Sequence, residues 1–233
     1  MDKVISIMQP NYLPWLGYFE IIDRSEIFVF FDDVQFIKKD WDHRNRIKTN
    51  ESAFWLTVPV LSKGKRFQKI NEVKINNQIN WKHKHLKNIE SFYSKSKYYQ
   101  QYISFFRKIY EKNWSALNYL NIETTIDIMK ILNIESNCYL SSEMELISTE
   151  NNDRIIEICK KLNCTELYNS QGAKKIINSE KINNAGINII FQDYKHPLYN
   201  QLHGTFTSHL SIVDLLFNEG PKSLDIIRSG TNF

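Results

Sequence analysis

The 233-residue sequence has no apolar run approaching the roughly 20 residues a membrane-spanning helix needs, which excludes insertion of that kind. Its cysteines, Cys138, Cys159 and Cys164, are odd in number and lack the close pairing of a disulfide framework or a structural zinc site. Charge of one sign is also scarce. A net charge of +4, with lysines scattered among asparagines and glutamates, offers no basic stripe for nucleic acid. The chain lacks an internal repeat and a low-complexity linker. Because Met1-Asp2-Lys3 leads straight into an apolar run, we expect no signal peptide and a cytoplasmic protein with reduced thiols.

Alternating elements are what the sequence does contain. Val4 to Met8 and Ile27 to Phe31 are continuous apolar runs, as strands buried on both faces require, with a helix-sized segment from Trp15 to Arg24 between them. A further strand is expected from Phe54 to Val60. From about Gln78 to Asn133, apolar residues such as Leu86, Ile89 and Tyr93 recur at spacings of three and four, which predicts helices. Alternation then returns. Strands are predicted near Cys138 to Leu140, Thr165 to Tyr168 and Ile187 to Phe191, with helices from Asp153 to Leu162, Lys174 to Asn184 and His209 to Phe217. The expected fold is a three-layer α/β domain with a mostly parallel, Rossmann-like sheet. Residues 1–77 and 136–233 form its two parts and 78–135 a helical insertion.

In such a sheet, ligands bind beyond the carboxyl ends of the strands, where loops gather. The residues that follow each expected strand are therefore the site candidates. Gln9, Pro10, Asn11 and Tyr12 follow the first, in a stretch stiffened by Pro10 and Pro14 and carrying Trp15. Asp32, Asp33 and Gln35 follow the second; the paired carboxylates can ligate a divalent ion, orient a sugar hydroxyl or cap a turn. Ser170, Gly172 and Lys175 stand where a helix should begin, able to receive an anion on main-chain N–H groups or to close a loop.

His43, Arg44, Asn45 and Arg46 bring two guanidinium forks and an imidazole together beside Trp41, a set suited to pyrophosphate or to a solvated loop. Tyr194, His196, Tyr199 and Gln201 form the last set, in which His196 is the expected general base. Asp32, Asp33 and His43 are the other candidate acid–base groups. No Gly-x-Ser-x-Gly motif surrounds a serine, and His83 and His85 cannot share one helix face, so neither a hydrolase triad nor a metal site at those histidines is expected. The residues name no cofactor.

The spacing from Pro10 to Tyr18 is similar to the nucleotide-binding loop of class I aminoacyl-tRNA synthetases and related nucleotidyltransferases, with Trp15 and Tyr18 where those carry histidines. A closer likeness covers nearly the whole chain. Gln9-Pro10-Asn11-Tyr12-Leu13-Pro14-Trp15-Leu16-Gly17-Tyr18-Phe19, Asp32-Asp33-Val34-Gln35-Phe36, His43 to Lys48, His196 to Gln201 and Leu210 to Asn218 together resemble the WbqC-like family. The resemblance implies a role in bacterial surface polysaccharide, O-antigen above all. The expected partners are a nucleotide-linked sugar or amino sugar and an activated acyl donor, and the expected reaction is acyl or aminoacyl transfer to the amino sugar. The alternatives are a nucleotidyltransferase-like enzyme with an altered loop and a non-catalytic sugar-nucleotide-binding or scaffold protein.

Overall fold

The computed structural model describes residues 3–231. Strand β1 (Val4–Met8), helix α1 (Leu16–Asp23) and strand β2 (Ile27–Phe30) form the first unit, and β3 (Arg44–Lys48) and β4 (Ala53–Thr57) follow. Three helices come next: α2 (Trp81–Tyr93), α3 (Tyr99–Glu111) and α4 (Leu117–Leu132). The chain returns to alternation with β5 (Asn137–Leu140), α5 (Asn151–Lys161), β6 (Glu166–Asn169), α6 (Ser179–Asn184) and β7 (Asn188–Phe191). It ends with α7 (Ile212–Glu219) and α8 (Ser223–Ser229).

Five strands form one sheet in the order β5-β2-β1-β6-β7, and every neighbouring pair is parallel. Helices flank it, giving the expected three-layer, Rossmann-like arrangement. The physical reason is legible in β2: all four residues of Ile27-Phe28-Val29-Phe30 are buried, which requires cover on both faces. The chain builds outward from β1 to β2 and β5, then returns to the other side of β1 for β6 and β7. The order therefore reverses between β1 and β6, where crossover loops leave the sheet in opposite directions and open a crevice. No helix among the described residues is long and apolar enough to cross a membrane.

The helices of residues 78–135 bury the stripes their spacing predicts. Helix α2 turns inward Trp81, His85, Ile89 and Tyr93, each four residues from the last. Tyr93 then stacks on Phe217 of α7 at a centroid separation of 5.3 Å and Phe106 packs tilted against it at 5.1 Å, so these helices share one core with the C-terminal part of the chain.

Two segments differ from expectation. The strand expected from Phe54 to Val60 is β4, and it pairs antiparallel with β3 in a separate two-stranded sheet. The segment Arg44–Lys48 is thus a strand and not a charged loop. Asn45 and Ile47 are buried, while the guanidinium carbons of Arg44 and Arg46 lie 4.2 and 5.7 Å from the centre of the Trp55 ring. The arginines cover an aromatic face, which hides the alternation from a reading based on charge. The helix expected from Lys174 to Asn184 is also divided. A 3-10 turn spans Gln171–Lys175, and α6 starts afresh where the Asn178 side chain accepts the Lys181 N–H at 3.0 Å.

Candidate functional site

The proline- and aromatic-rich stretch after β1 is held by partners on every side. The Asn121 amide of α4 donates to Pro10 O at 2.9 Å, the Asn45 amide to Leu13 O at 2.7 Å, and the Ile212 N–H to Pro14 O at 2.8 Å. The Tyr12 side chain is buried and its hydroxyl meets His85 Nδ1 at 2.9 Å and Tyr110 Oη at 2.7 Å. Leu13 is kept at φ 44°, a left-handed conformation that a branched side chain adopts only under such constraint. Gly17 has a different reason: a Cβ there would fall 2.3 Å from the Trp15 indole, which lies across it. Together these contacts fix the direction in which Gln9 and Asn11 leave the sheet.

A cleft of about 290 Å³ lies where the strand order reverses. Its apolar surface comes from Ile7, Met8, Phe31 and Val34 at the ends of β1 and β2, with Ile155, Ile176 and Ile177. Polar groups reach it from several segments: Gln9 and Asn11 after β1, Asn169 and Ser170 after β6, and Asp40 and Asp42 from the segment before β3. Asn169 also frames it, donating to Ile7 O at 3.1 Å and accepting the Ser170 N–H at 2.7 Å, which ties β6 to β1 at the reversal. Gly172 and Trp41 complete the lining.

Asp42 is the most perturbed acid of this cleft. It is 1% exposed, and its Oδ2 is buried with no hydrogen-bond partner. Burial, with repulsion from Asp40 and against one hydrogen bond from the Ile37 N–H, pushes its pKa up to about 7. Its main chain is pinned: Asn121 donates to Asp42 O at 2.6 Å, and the Tyr12 N–H donates to Trp41 O at 3.0 Å. Charge patterning alone gives this residue no prominence, because it stands in a run of ionisable neighbours from Asp40 to Arg46.

Of the residues selected from sequence, Gln9, Asn11, Ser170 and Gly172 meet in this cleft. Pro10, Tyr12, Trp15 and Asn45 belong to the loop packing behind it. Asp32 is fully buried, held by Ser141 Oγ at 3.2 Å, the Ser142 N–H at 3.1 Å and Ser142 Oγ at 2.9 Å. Asp33 pairs with Arg154 at 2.5 Å and lines a neighbouring, more polar cleft that Gln35 also borders. The His43 ring joins two segments, accepting the Lys39 N–H on Nε2 and donating from Nδ1 to Val58 O, both at 3.1 Å. Arg44 donates to Lys39 O and Arg46 to His209 O at 3.1 Å, while Lys175 is exposed on the 3-10 turn.

His196 lies among rings. It stacks on Trp15 at 6.1 Å and contacts His209 at 5.0 Å, Phe206 at 5.7 Å and Tyr199 at 6.2 Å. Its Nδ1 donates to Pro197 O at 2.9 Å, and burial lowers its pKa. Tyr194 packs edge-on against Trp15 at 5.6 Å. Tyr199 donates to Asp214 Oδ2 at 2.8 Å, Tyr93 to Asp214 Oδ1 at 2.8 Å, and Gln201 accepts from Lys48 Nζ at 2.7 Å. Tyr199 and Gln201 thus join a hydrogen-bonded network with Lys48 and Asp214, His196 only packs beside Tyr199 with its Nε2 buried and without a hydrogen-bond partner, and the six candidates Gln9, Asp32, Asp33, Asn45, Ser170 and His196 do not share one cleft.

The chain is similar along nearly its whole length to an uncharacterized protein of Mycobacterium tuberculosis, at 33% identity over 228 residues, 97% of this chain and 98% of that one. No solved structure matches it. The model of the WbqC-like protein family matches residues 9–226, a span that takes in the loop after β1, most of the cleft lining and the buried Lys48–Asp214 network, and the protein therefore belongs to the WbqC-like protein family.

Proposed function

We propose that the protein is a transferase of bacterial surface polysaccharide synthesis that modifies a nucleotide-activated sugar, passing an acyl or aminoacyl group to an amino sugar. The observation that carries this reading is the position and lining of the cleft at the strand-order reversal. Parallel sheets present loop main chain and side chains to a ligand there. Gln9, Asn11, Asn169 and Ser170 are uncharged groups that both donate and accept, the chemistry that matches sugar hydroxyls. The apolar surface of Ile7, Phe31 and Val34 suits the face of a ring, and Trp41 at the rim offers an aromatic platform. Lys174 and Lys175 are exposed on the turn whose Gly172 and Ala173 line the cleft, positive charge that would favour a diphosphate nearby.

A thermal-shift comparison of nucleotide diphosphate sugars, free sugars, nucleoside triphosphates and acyl thioesters tests the reading. A ligand present at 100 times its dissociation constant stabilises the native state by about 2.7 kcal/mol. The nucleotide sugars should stabilise the protein and the free sugars should not. Stabilisation by nucleoside triphosphates with none from nucleotide sugars would instead assign the cleft to a nucleotidyltransferase.

A further inference from the structure

We infer that Asp42 is the group that exchanges a proton with the ligand in the cleft at the strand-order reversal. The assignment rests on the proposed function for the identity of that ligand, and on the geometry of the protein for the residue. Other buried carboxylates of the described chain are engaged. Asp32 is held by Ser141 and Ser142, Asp214 by Tyr93 and Tyr199, and Glu20 by the Tyr168 hydroxyl at 3.0 Å, the Gln192 amide at 2.5 Å and the Thr231 hydroxyl at 2.8 Å. Asp33 is neutralised by Arg154. Asp42 has one oxygen answered by the Ile37 N–H and the other, Oδ2, buried with no partner in the protein just beneath the cleft lining, so a side-chain rotation or an entering water carries the proton between it and the ligand.

A buried carboxylate with an unanswered oxygen is costly when charged, and more so with a second acid nearby. Asp40 is the only other ionisable side chain lining this cleft among the described residues. The Tyr18 phenol is near enough to feel the charge of Asp42 but donates its own hydrogen to Gln9 O at 3.0 Å. His43, next in the chain, is turned to Lys39 and Val58. No cation of the lining offsets the charge, so Asp42 titrates near neutrality, in the range where one residue can both take and return a proton. The pinning of Asp42 O by Asn121 and of Trp41 O by Tyr12 keeps the carboxyl in place as its charge changes.

In the transfer itself, the amino nitrogen of the sugar attacks the carbonyl carbon of an activated acyl donor. A C–N bond forms, and the proton the nitrogen must lose passes to the Asp42 carboxylate. The bond from the acyl carbon to its leaving group then breaks with its electron pair. Asp42, now an acid, returns the proton to that group or to water, so the step needs no oxidant or reductant.

The test uses the intact protein with aspartate labelled at the side-chain carboxyl with ¹³C. One signal, assigned to Asp42 through bonds, should titrate with a midpoint near 7. A uridine diphosphate amino sugar that perturbs the Gln9 and Ser170 amides should shift that midpoint by roughly half a unit or more. Asp42→Asn should lower turnover about 10²–10⁴-fold with little change in affinity for the sugar nucleotide. A midpoint below about 5 overturns the inference, and so does one that the bound sugar nucleotide leaves unmoved. Perturbation of neither Gln9 nor Ser170 by any sugar nucleotide overturns the proposed function, while a midpoint near 7 in the same protein still supports Asp42 as the acid of the cleft. The wild-type titration does not depend on any variant folding.

Discussion

The side-chain amide of Asn121 reaches the main-chain carbonyl of Asp42 at 2.6 Å, and the same nitrogen reaches Pro10 O at 2.9 Å. One residue near the start of α4 thus holds together the loop after β1 and the segment that carries the cleft's acid. The three central helices are in this way part of the cleft's construction. Asn121→Leu fills a similar volume but leaves both carbonyls without this donor. Each orphaned group costs about 1–3 kcal/mol, so urea denaturation should show a loss of about 2–6 kcal/mol, with weakened ligand binding.

Asp42 should also set the pH dependence of stability. Its folded pKa, raised by burial and then by Asp40 to about 7, stands above the ordinary aspartate value of 3.8. Between those values the folded state holds a proton that the unfolded chain has lost, so this residue makes stability fall as pH rises from about 4 to 7. At about 1.4 kcal/mol per pH unit, the full effect is somewhat above 4 kcal/mol. Asp42→Asn removes it. The stability of the variant relative to the native protein should therefore rise with pH over that interval, as read from denaturant midpoints at pH 4.5 and 8.

Tyr93 tests the buried network behind the loop. Its hydroxyl accepts the Lys48 N–H at 2.8 Å and donates to Asp214, whose pKa burial raises to about 6. Tyr93→Phe keeps the ring stacked on Phe217 but orphans the Lys48 N–H and removes one of the donors to Asp214. Stability should drop by about 1–3 kcal/mol, and the Asp214 titration, followed by carboxyl NMR, should move higher.

His196 and Asp42 give opposite expectations. The His196 imidazole is enclosed by Trp15, Tyr199, Phe206 and His209 and does not line the cleft. His196→Gln should cost packing and leave turnover within a few-fold of native, with the limb of the pH–rate profile near 7 retained. Asp42→Asn should abolish that limb. A steady-state pH profile of the two variants separates the roles.

These contrasts follow what the sequence carried and what it hid. The parallel sheet was legible because strands buried on both faces are continuous apolar runs, as Ile27 to Phe30 is. The loop after β1 was legible as a rigid corner because proline and glycine act locally. Strand β3 was hidden: Arg44 and Arg46 look solvated until Trp55 is placed beneath them. Asp42 was hidden for a similar reason. Its character comes from burial, from Asp40 and from a missing partner, and those depend on distant residues such as Asn121, 79 positions away. His196, by contrast, drew attention through its residue type alone.

On this reading the ligand occupies the cleft between the ends of β1 and β6. Photoaffinity labelling with an azido-substituted uridine diphosphate sugar, followed by peptide mapping, tests it most directly. The claim predicts crosslinks in residues 9–11, 37–42 and 169–177, suppressed by unlabelled nucleotide sugar. Crosslinks confined to residues 194–209, around His196 and His209, would contradict it.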